Sequence, residues 1–172
     1  GVFYEAMTQF AGFRKYGEEY KFMALACMGE PMYFDKMLNN LFLDKNEIKL
    51  NTKFFLHHDK NYSYKFEGIP NQNQLFSKKM FELFETKDNF QIDKIQKKQL
   101  DIASSTQKVF EYFVFKLIDE YIDIDYSKNL ILAGGCALNS LSNGKILKKY
   151  KDLNLFIPFA PGDSGGAIGS AD

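Results

Sequence analysis

The chain has few of the residues that would mark a secreted or a membrane-spanning protein. Its two cysteines, Cys27 and Cys136, have no metal-ligand spacing. They exclude a disulfide framework and indicate a reducing compartment, and we expect each to be a small buried residue. No apolar run approaches the length of a membrane span, and no signal-peptide pattern opens the sequence. We therefore expect a cytoplasmic protein that does not bind a membrane.

An excess of charge of either sign is also lacking. The 22 basic and 22 acidic side chains cancel, so no global field favours a nucleic acid or an anionic membrane as partner. Hydrophobic residues make up 45% of the 172 residues, which is enough to build a core. A chain of this length predicts a single domain over residues 1–172.

The spacing of apolar residues predicts the helices and strands. Helices are expected at 3–13, 18–28, 33–42, 75–84, 93–122, 137–150 and from 163 to the end. Strands are expected at 48–56, 62–66, 130–133 and 155–158, with a loop at 67–74. The closing order of strand, helix, strand and helix is typical of an α/β layered domain.

A pair of glycines, Gly134 and Gly135, follows the predicted strand 130–133 and opens the next helix. Glycine lets a ligand approach the backbone, and the free N–H groups at a helix start suit a phosphate. Asn139 could bond to the ribose or phosphate of such a ligand. The alternative is a tight strand–helix turn in which the polar groups cap the helix.

A second glycine-rich segment, 161–166, places Asp163 at the start of a small-residue helix. Asp163 could be a metal ligand close to a phosphate, or it could cap the helix. The nucleophile loop of trypsin-like serine proteases also contains Gly-Asp-Ser-Gly-Gly, but His57 and His58 lack the setting of a catalytic triad. The two glycine segments together predict a nucleotide and a metal held by neighbouring loops.

These segments, in this order, resemble the NodU/CmcH-type O-carbamoyltransferases. The matching blocks are Phe3-Tyr4-Glu5 with Thr8 and Gly12-Phe13, then 18–26, 29–31, 102–107, 133–139 with Asn143, and 161–169. The resemblance covers nearly the whole chain and is weaker at about 40–95. It implies a Kae1-like domain of the ribonuclease H-like, actin-like ATPase superfamily, with a mixed sheet flanked by helices.

In such enzymes a separate YrdC-like domain makes carbamoyl adenylate from carbamoyl phosphate and ATP. The Kae1-like domain then transfers the carbamoyl group to a hydroxyl of a small-molecule or sugar acceptor. The resemblance implies that Gly134, Gly135 and Asn139 hold the adenylate, with Lys21 near its phosphate. It also implies that Asp163 is a ligand of a divalent metal, usually iron. The resemblance does not imply a catalytic role for any particular residue of this sequence.

The resemblance also has departures. The family's His-x-x-x-His metal pair, its first glycine-rich strand pair and the YrdC-like domain are absent from this sequence, and Cys27-Met28 replaces the common Pro-Tyr. We therefore expect the second half of a transferase domain that is inactive alone and able to form a homo-oligomer. Two alternatives stay open: a threonylcarbamoyl transferase acting on tRNA adenosine, and a non-catalytic nucleotide-binding or interaction module. Tyr20, where the tRNA enzymes have aspartate, favours the small-molecule enzymes.

Overall fold

The computed structural model describes residues 1–59, 63–66, 70–87, 90–123 and 126–171, which form a mixed α/β protein. The helices are α1 (Val2–Phe10), α2 (Glu19–Ala26), α3 (Phe34–Asn40), α4 (Lys79–Phe84), α5 (Lys97–Tyr121), α6 (Ser140–Lys149) and α7 (Gly166–Gly169). The strands are β1 (Phe42–Asp44), β2 (Lys49–Leu50), β3 (Tyr64–Phe66), β4 (Pro70–Gln72), β5 (Asn129–Ile131) and β6 (Asn154–Phe156). Short 3₁₀ helices cover Gly135–Leu138 and Asp163–Gly165.

The chain divides into two compact units. The larger unit is Val2–Phe110, and the smaller unit is Gly1 with Glu111–Asp172. The larger unit contains the antiparallel pairs β1–β2 and β3–β4, and the smaller contains the parallel pair β5–β6. Within the described ranges, no helix combines the length and the apolar character needed to cross a membrane.

The core of the larger unit is built from phenylalanine side chains around α1. Phe10 is fully buried, because the helical spacing of the apolar residues of α1 places them on one face. Its ring lies 5.3 Å from Phe76, 5.4 Å from Phe81, 5.4 Å from Phe84 and 5.7 Å from Phe90, measured between centroids. This aromatic cluster holds α1, α4 and the segment around Phe90 together.

Helix α5 adds a row of buried polar side chains to this apolar core. Gln99, Asp101, Ser105, Thr106 and Gln107 are all buried. Gln99 Nε2 donates to the carbonyl of Ala11 (2.6 Å), which fixes the chain just after α1. Buried polar groups are almost always hydrogen-bonded. Several of these side chains of α5 find their partner in the backbone of a loop.

The same row binds the segment that joins α2 to α3. The N–H of Glu30 donates to Asp101 Oδ1 (2.8 Å), and the N–H of Tyr33 donates to Ser105 Oγ (2.9 Å). Between these bonds the backbone of Gly29 lies against α5 so closely that a Cβ atom would overlap the carbonyl of Leu100. These contacts bring two blocks of the sequence resemblance, 29–31 and 102–107, side by side, although in each contact one partner lies just outside a block.

The smaller unit is a strand–helix–strand motif completed by the end of α5. Leu130 pairs with Leu155 in the parallel register, and Ile118, Leu130, Ile146 and Leu153 form its buried cluster. Lys145 Nζ binds both oxygens of Glu111, at 2.8 and 2.7 Å, which ties α6 to α5.

A second polar cluster fixes the far end of α6. Tyr150 Oη donates to Asp119 Oδ1 (2.5 Å), and Lys149 Nζ donates to Asp119 Oδ2 (2.7 Å). The hydrogen bond from Lys149 comes first among the causes that hold the pKa of Asp119 below its usual value, followed by that from Tyr150. The polar contacts at Glu111 and at Asp119 together fix the position of the end of α6 against α5.

Most predicted elements are confirmed, with shorter bounds, but the region 48–56 is not one strand. Only Lys49–Leu50 pairs there, and Phe55 forms an isolated bridge. Asn51 Oδ1 accepts the N–H of Lys53 (3.2 Å), so a local turn replaces the strand. The predicted loop at 67–74 is wrong at Pro70–Gln72, which pairs with Tyr64–Phe66.

The predicted helix 137–150 is interrupted at Asn139, which separates a 3₁₀ helix from α6. The expectation of two buried cysteines is wrong, because Cys27 and Cys136 are both exposed. Residues 60 and 61 of the predicted turn, and Tyr62 at the start of the predicted strand, lie outside the described residues.

Replacing Asp101 by Asn should lower the free energy of unfolding by about 2 kcal/mol at neutral pH, because a charged hydrogen-bond partner is lost. Burial opposes ionisation of Asp101, but hydrogen bonds from the Glu30 N–H and Lys97 hold its pKa below the ordinary 3.8. This carboxylate therefore stabilises the fold above its ordinary pKa, and that contribution disappears as the pH falls through the folded-state pKa. Urea unfolding between about pH 7 and about pH 3 measures both effects.

The matched control is Asp35→Asn, which removes an exposed carboxylate from α3. Wild-type protein should lose more stability on acidification than Asp101→Asn, and as much as Asp35→Asn. Equal acid sensitivity of wild type and Asp101→Asn would contradict the role given to Asp101.

Replacing Gly29 by Ala should destabilise the protein by about 2 kcal/mol, because the new Cβ would overlap α5. The same change at Gly144, inside α6, meets no atom within 4 Å. Gly144→Ala should therefore raise stability by about 0.5–1 kcal/mol, the usual gain from removing a mid-helix glycine. Denaturant midpoints of the two variants should move in opposite directions; a shift of the same sign for both would contradict the close contact.

Candidate functional site

A glycine turn lies at the carboxyl end of β5. Gly134 has φ 84° and ψ 168°, a conformation that is essentially restricted to glycine. Its carbonyl accepts the N–H of Ala137 (3.0 Å), which starts the 3₁₀ helix. A Cβ placed on Gly134 or on Gly135 would meet no atom within 4 Å. The turn is therefore open to solvent, with no side chain between its backbone and an approaching ligand.

The second glycine segment lies directly beside this turn. The N–H of Gly134 donates to the carbonyl of Pro161 (2.6 Å), which joins the loop after β5 to the loop after β6. Parallel strands place their carboxyl ends at the same edge of a sheet, so this contact follows from the pairing of β5 with β6. The structure thus brings together the two loops that the sequence singled out.

Asp163 begins the 3₁₀ helix of this second loop and is exposed. The residue that caps this helix is Gly162, and no side chain provides a capping hydrogen bond. Within the described part of the chain, the Asp163 carboxylate has neither an ion pair nor a hydrogen bond. Gly165 is required for close packing, because a Cβ there would overlap the carbonyl of Ala160.

Asn139 is buried and caps α6. Its Oδ1 accepts the N–H of Ser142 (2.9 Å), as the capping alternative predicts. Asn143, one turn later, donates from Nδ2 to the carbonyl of Ala137 (2.7 Å). Both side chains fix the path of the chain between the glycine turn and α6.

Lys21 lies in the larger unit, on α2, whereas Gly134, Gly135, Asn139 and Asp163 lie in the smaller unit. Its Nζ contacts Glu18 Oε1 at 2.7 Å, and this hydrogen bond raises the pKa of Lys21. Burial opposes ionisation of Glu18, but hydrogen bonds from Lys21 and from the Lys15 N–H hold its pKa below the usual value. Lys21 is thus a fully charged group positioned by a buried carboxylate.

A metal site needs several ligands, and the described residues do not assemble one. No group of three or more His, Cys, Asp or Glu side chains in the described ranges could hold a metal ion. His57 and His58 lie in a turn, and both are exposed. Asp163 alone supplies one carboxylate, so its metal role stays a prediction.

Two features of the site were missed at the level of sequence. The pairing of Glu18 with Lys21 has a signal, because residues three apart share a helix face. The bond from Gly134 to the carbonyl of Pro161 has none, because every residue carries a backbone carbonyl. Such a contact becomes visible only when the strand pairing is known.

Similarity to known proteins extends over the whole chain. The family model described as Carbamoyltransferase N-terminus matches residues 1–172. The chain belongs to this carbamoyltransferase family. The predicted resemblance to the NodU/CmcH-type enzymes is therefore confirmed at the level of the family.

Two relatives of this carbamoyltransferase N-terminal chain are much longer than the chain itself. An uncharacterized protein of Synechocystis sp. is 38% identical over 173 residues, which cover 99% of this chain and 26% of that protein. The nodulation protein NolNO of Sinorhizobium fredii is 37% identical over 71 residues, which cover 41% of this chain and 10% of that protein. The chain thus spans about a quarter of the length of the relative that it matches throughout.

The two glycines of the turn should respond differently to substitution. Gly134→Ala should lower the free energy of unfolding by about 1–3 kcal/mol, because alanine is strained at φ 84°. Gly135→Ala should change stability by less than about 0.5 kcal/mol, since its Cβ enters open space. Denaturant unfolding of both variants tests this, and a large loss for Gly135→Ala would show that the turn is packed against other atoms.

Proposed function

We propose that this chain is part of an O-carbamoyltransferase that moves a carbamoyl group from carbamoyl adenylate to a hydroxyl of a small molecule or sugar. The observation that carries the proposal is the open Gly134–Gly135 turn, bonded to the loop of Asp163, in a carbamoyltransferase N-terminal chain. A nucleotide needs a backbone that it can approach closely, and a side-chain-free turn provides one.

In the proposed reaction the acceptor's hydroxyl oxygen attacks the carbamoyl carbon. The bond from that carbon to the phosphate oxygen breaks, AMP leaves with the electron pair, and the hydroxyl proton passes to solvent. The departing phosphate carries charge that the enzyme has to stabilise. The N–H groups of Gly135 and Cys136 have no acceptor among the described residues, so they are available to a phosphate oxygen.

Lys21 is the proposed cationic partner of the phosphate. An ammonium group has three donors, so Lys21 can keep its bond to Glu18 and still donate to a ligand. Glu18 would then set the position of the ammonium group. Asn139 completes the proposed adenylate site by holding the chain between the glycine turn and α6.

A divalent metal, with iron implied by the family resemblance, would act as a Lewis acid on the carbamoyl oxygen. Asp163 would give it one carboxylate ligand. The described residues offer no complete ligand set, so the other ligands would come from elsewhere in the protein. The role of this chain is then to present one ligand beside the nucleotide turn.

The fold proposed for the chain is the second half of a Kae1-like, actin-like ATPase domain. The mixed α/β architecture and the parallel β5–α6–β6 motif support it. The proposed partners are the first half of that domain, a YrdC-like domain of the same polypeptide and the hydroxyl acceptor. Homo-oligomer formation and a cytoplasmic location belong to the same proposal, and a nucleic acid is not a proposed partner.

Replacing Asp163 by Ala in the full-length protein should reduce carbamoyl transfer at least about 100-fold without unfolding it, because an exposed carboxylate next to the reacting group is lost. Ser164→Ala is the matched control, since Ser164 is the exposed neighbour in the same 3₁₀ helix. Transfer is measured as the part of AMP release from ATP and carbamoyl phosphate that depends on an added sugar or small-molecule hydroxyl acceptor. Unchanged turnover in Asp163→Ala would favour a non-catalytic module.

A further inference from the structure

A groove of about 550 Å³ lies in the smaller unit, between α5 and the last turn of α6. It is lined by Tyr112, Phe115, Lys116, Asp119, Glu120 and Lys149. All six belong to these two helices, which the structure describes without a gap. A volume of this size is in the range of sites that hold small ligands.

One wall of the groove is fixed by the polar contacts between α5 and α6. Asp119 accepts hydrogen bonds from Tyr150 Oη (2.5 Å) and from Lys149 Nζ (2.7 Å). Lys149 Nζ also lies 5.0 Å from the centre of the Phe115 ring, which is within the range of a cation–π contact. The groove therefore exists before any ligand binds.

The groove is apolar at one end and charged at the other. Tyr112, Lys116 and Glu120 are spaced four residues apart, so they form a row on one face of α5. This row is about 12 Å long, since an α-helix rises about 1.5 Å per residue. Phe115 and Asp119 form a second row with the same order. Each row thus begins with an aromatic ring and ends with a carboxylate.

The charged end offers binding groups of both signs. Lys149 has three N–H donors, and two of them bind Asp119 and Tyr150, so one remains. Glu120 contacts Lys116 at 3.4 Å, and the side chain of Glu120 is 46% exposed. An exposed ion pair of this kind contributes little to stability, so a ligand can replace it at small cost. Among the described residues, Glu120 has no second partner.

We propose that this groove binds an α-amino acid with an aromatic side chain. The aromatic ring of the ligand would pack on Tyr112 and Phe115, because aromatic rings attract one another beyond the effect of the area that they bury. The ammonium group of the ligand would donate to Glu120, and its carboxylate would accept the remaining N–H of Lys149. The C-terminal end of α5 also favours the ammonium group, since the helix dipole places partial negative charge there.

This ligand site does not depend on the proposed carbamoyl transfer. The glycine turn precedes the first residue of α6, whereas Lys149 is the last residue of α6. A helix of 10 residues is about 15 Å long, so the two sites lie at opposite ends of α6. Binding in the groove should therefore be the same in wild type and in Gly135→Ala.

The probe is L-phenylalanine, added to the whole chain and followed by calorimetry. Three reference ligands each lack one group: 3-phenylpropionate has no ammonium group, phenethylamine has no carboxylate and alanine has no ring. Phenylalanine should bind about tenfold more tightly than each reference, the usual effect of one charged hydrogen bond or one buried ring. A reference ligand that binds as tightly as phenylalanine would overturn the proposal.

Glu120→Gln should weaken the binding of phenylalanine about tenfold, because the ammonium group loses a charged partner. The same variant should not weaken the binding of 3-phenylpropionate, which has no ammonium group. Equal losses for the two ligands would contradict the role given to Glu120. The absence of phenylalanine binding by wild type would overturn the whole proposal.

Lys149→Gln should weaken the binding of phenylalanine about tenfold and should not weaken that of phenethylamine. Lys148→Gln is the matched control, because Lys148 is the exposed neighbour on α6 and does not line the groove. It should leave the affinity unchanged, apart from a small loss that added salt abolishes. Equal losses for the two lysine variants would overturn the proposal. If Lys149→Gln proves less stable by circular dichroism, the comparison of ligands in Glu120→Gln decides alone.

Discussion

The structure of the larger unit depends on the buried polar side chains of α5. Removing such a group from water is unfavourable unless it finds a partner, and the partners here are backbone groups of distant loops. The conformation of the segment around Gly29 is thus dictated by one helix, 71 residues away along the chain in the case of the bond from Glu30 to Asp101. A hydrophobic contact would allow the loop to slide, whereas a hydrogen bond to a backbone N–H fixes its register.

The smaller unit obeys a different constraint, which is the parallel pairing of β5 with β6. Two parallel strands end at the same edge, and the loops that follow them must meet there. One of these loops contains a glycine that no other residue could replace without strain, and the other contains an exposed carboxylate. The candidate site therefore arises from topology and from backbone geometry, and few of its contacts involve side chains.

This difference explains what could be predicted from sequence. Helices α1 and α5 and the turn at Gly134 could be predicted, because they depend on local geometry. Such geometry leaves a local signal in the sequence, either periodic apolar residues or glycine. The short strands Phe42–Asp44 and Pro70–Gln72 could not be predicted, since their sequences carry no alternation of polar and apolar residues. Two contacts of the candidate site residues could not be predicted either: Lys21 pairs with Glu18, and Asn139 accepts the N–H of Ser142. A sequence motif identifies a residue, but it does not identify the group that this residue contacts in the fold.

Apolar side chains remain on the surface of the β5–β6 pair and its following loop. Ile131 and Phe156 are neighbours in register and are 67% and 61% exposed, and Phe159 is 89% exposed. Surface that stays in water adds nothing to the free energy of folding. The fold of this unit would tolerate polar residues at these three positions. Evolutionary selection that keeps them apolar would therefore act on association rather than on folding.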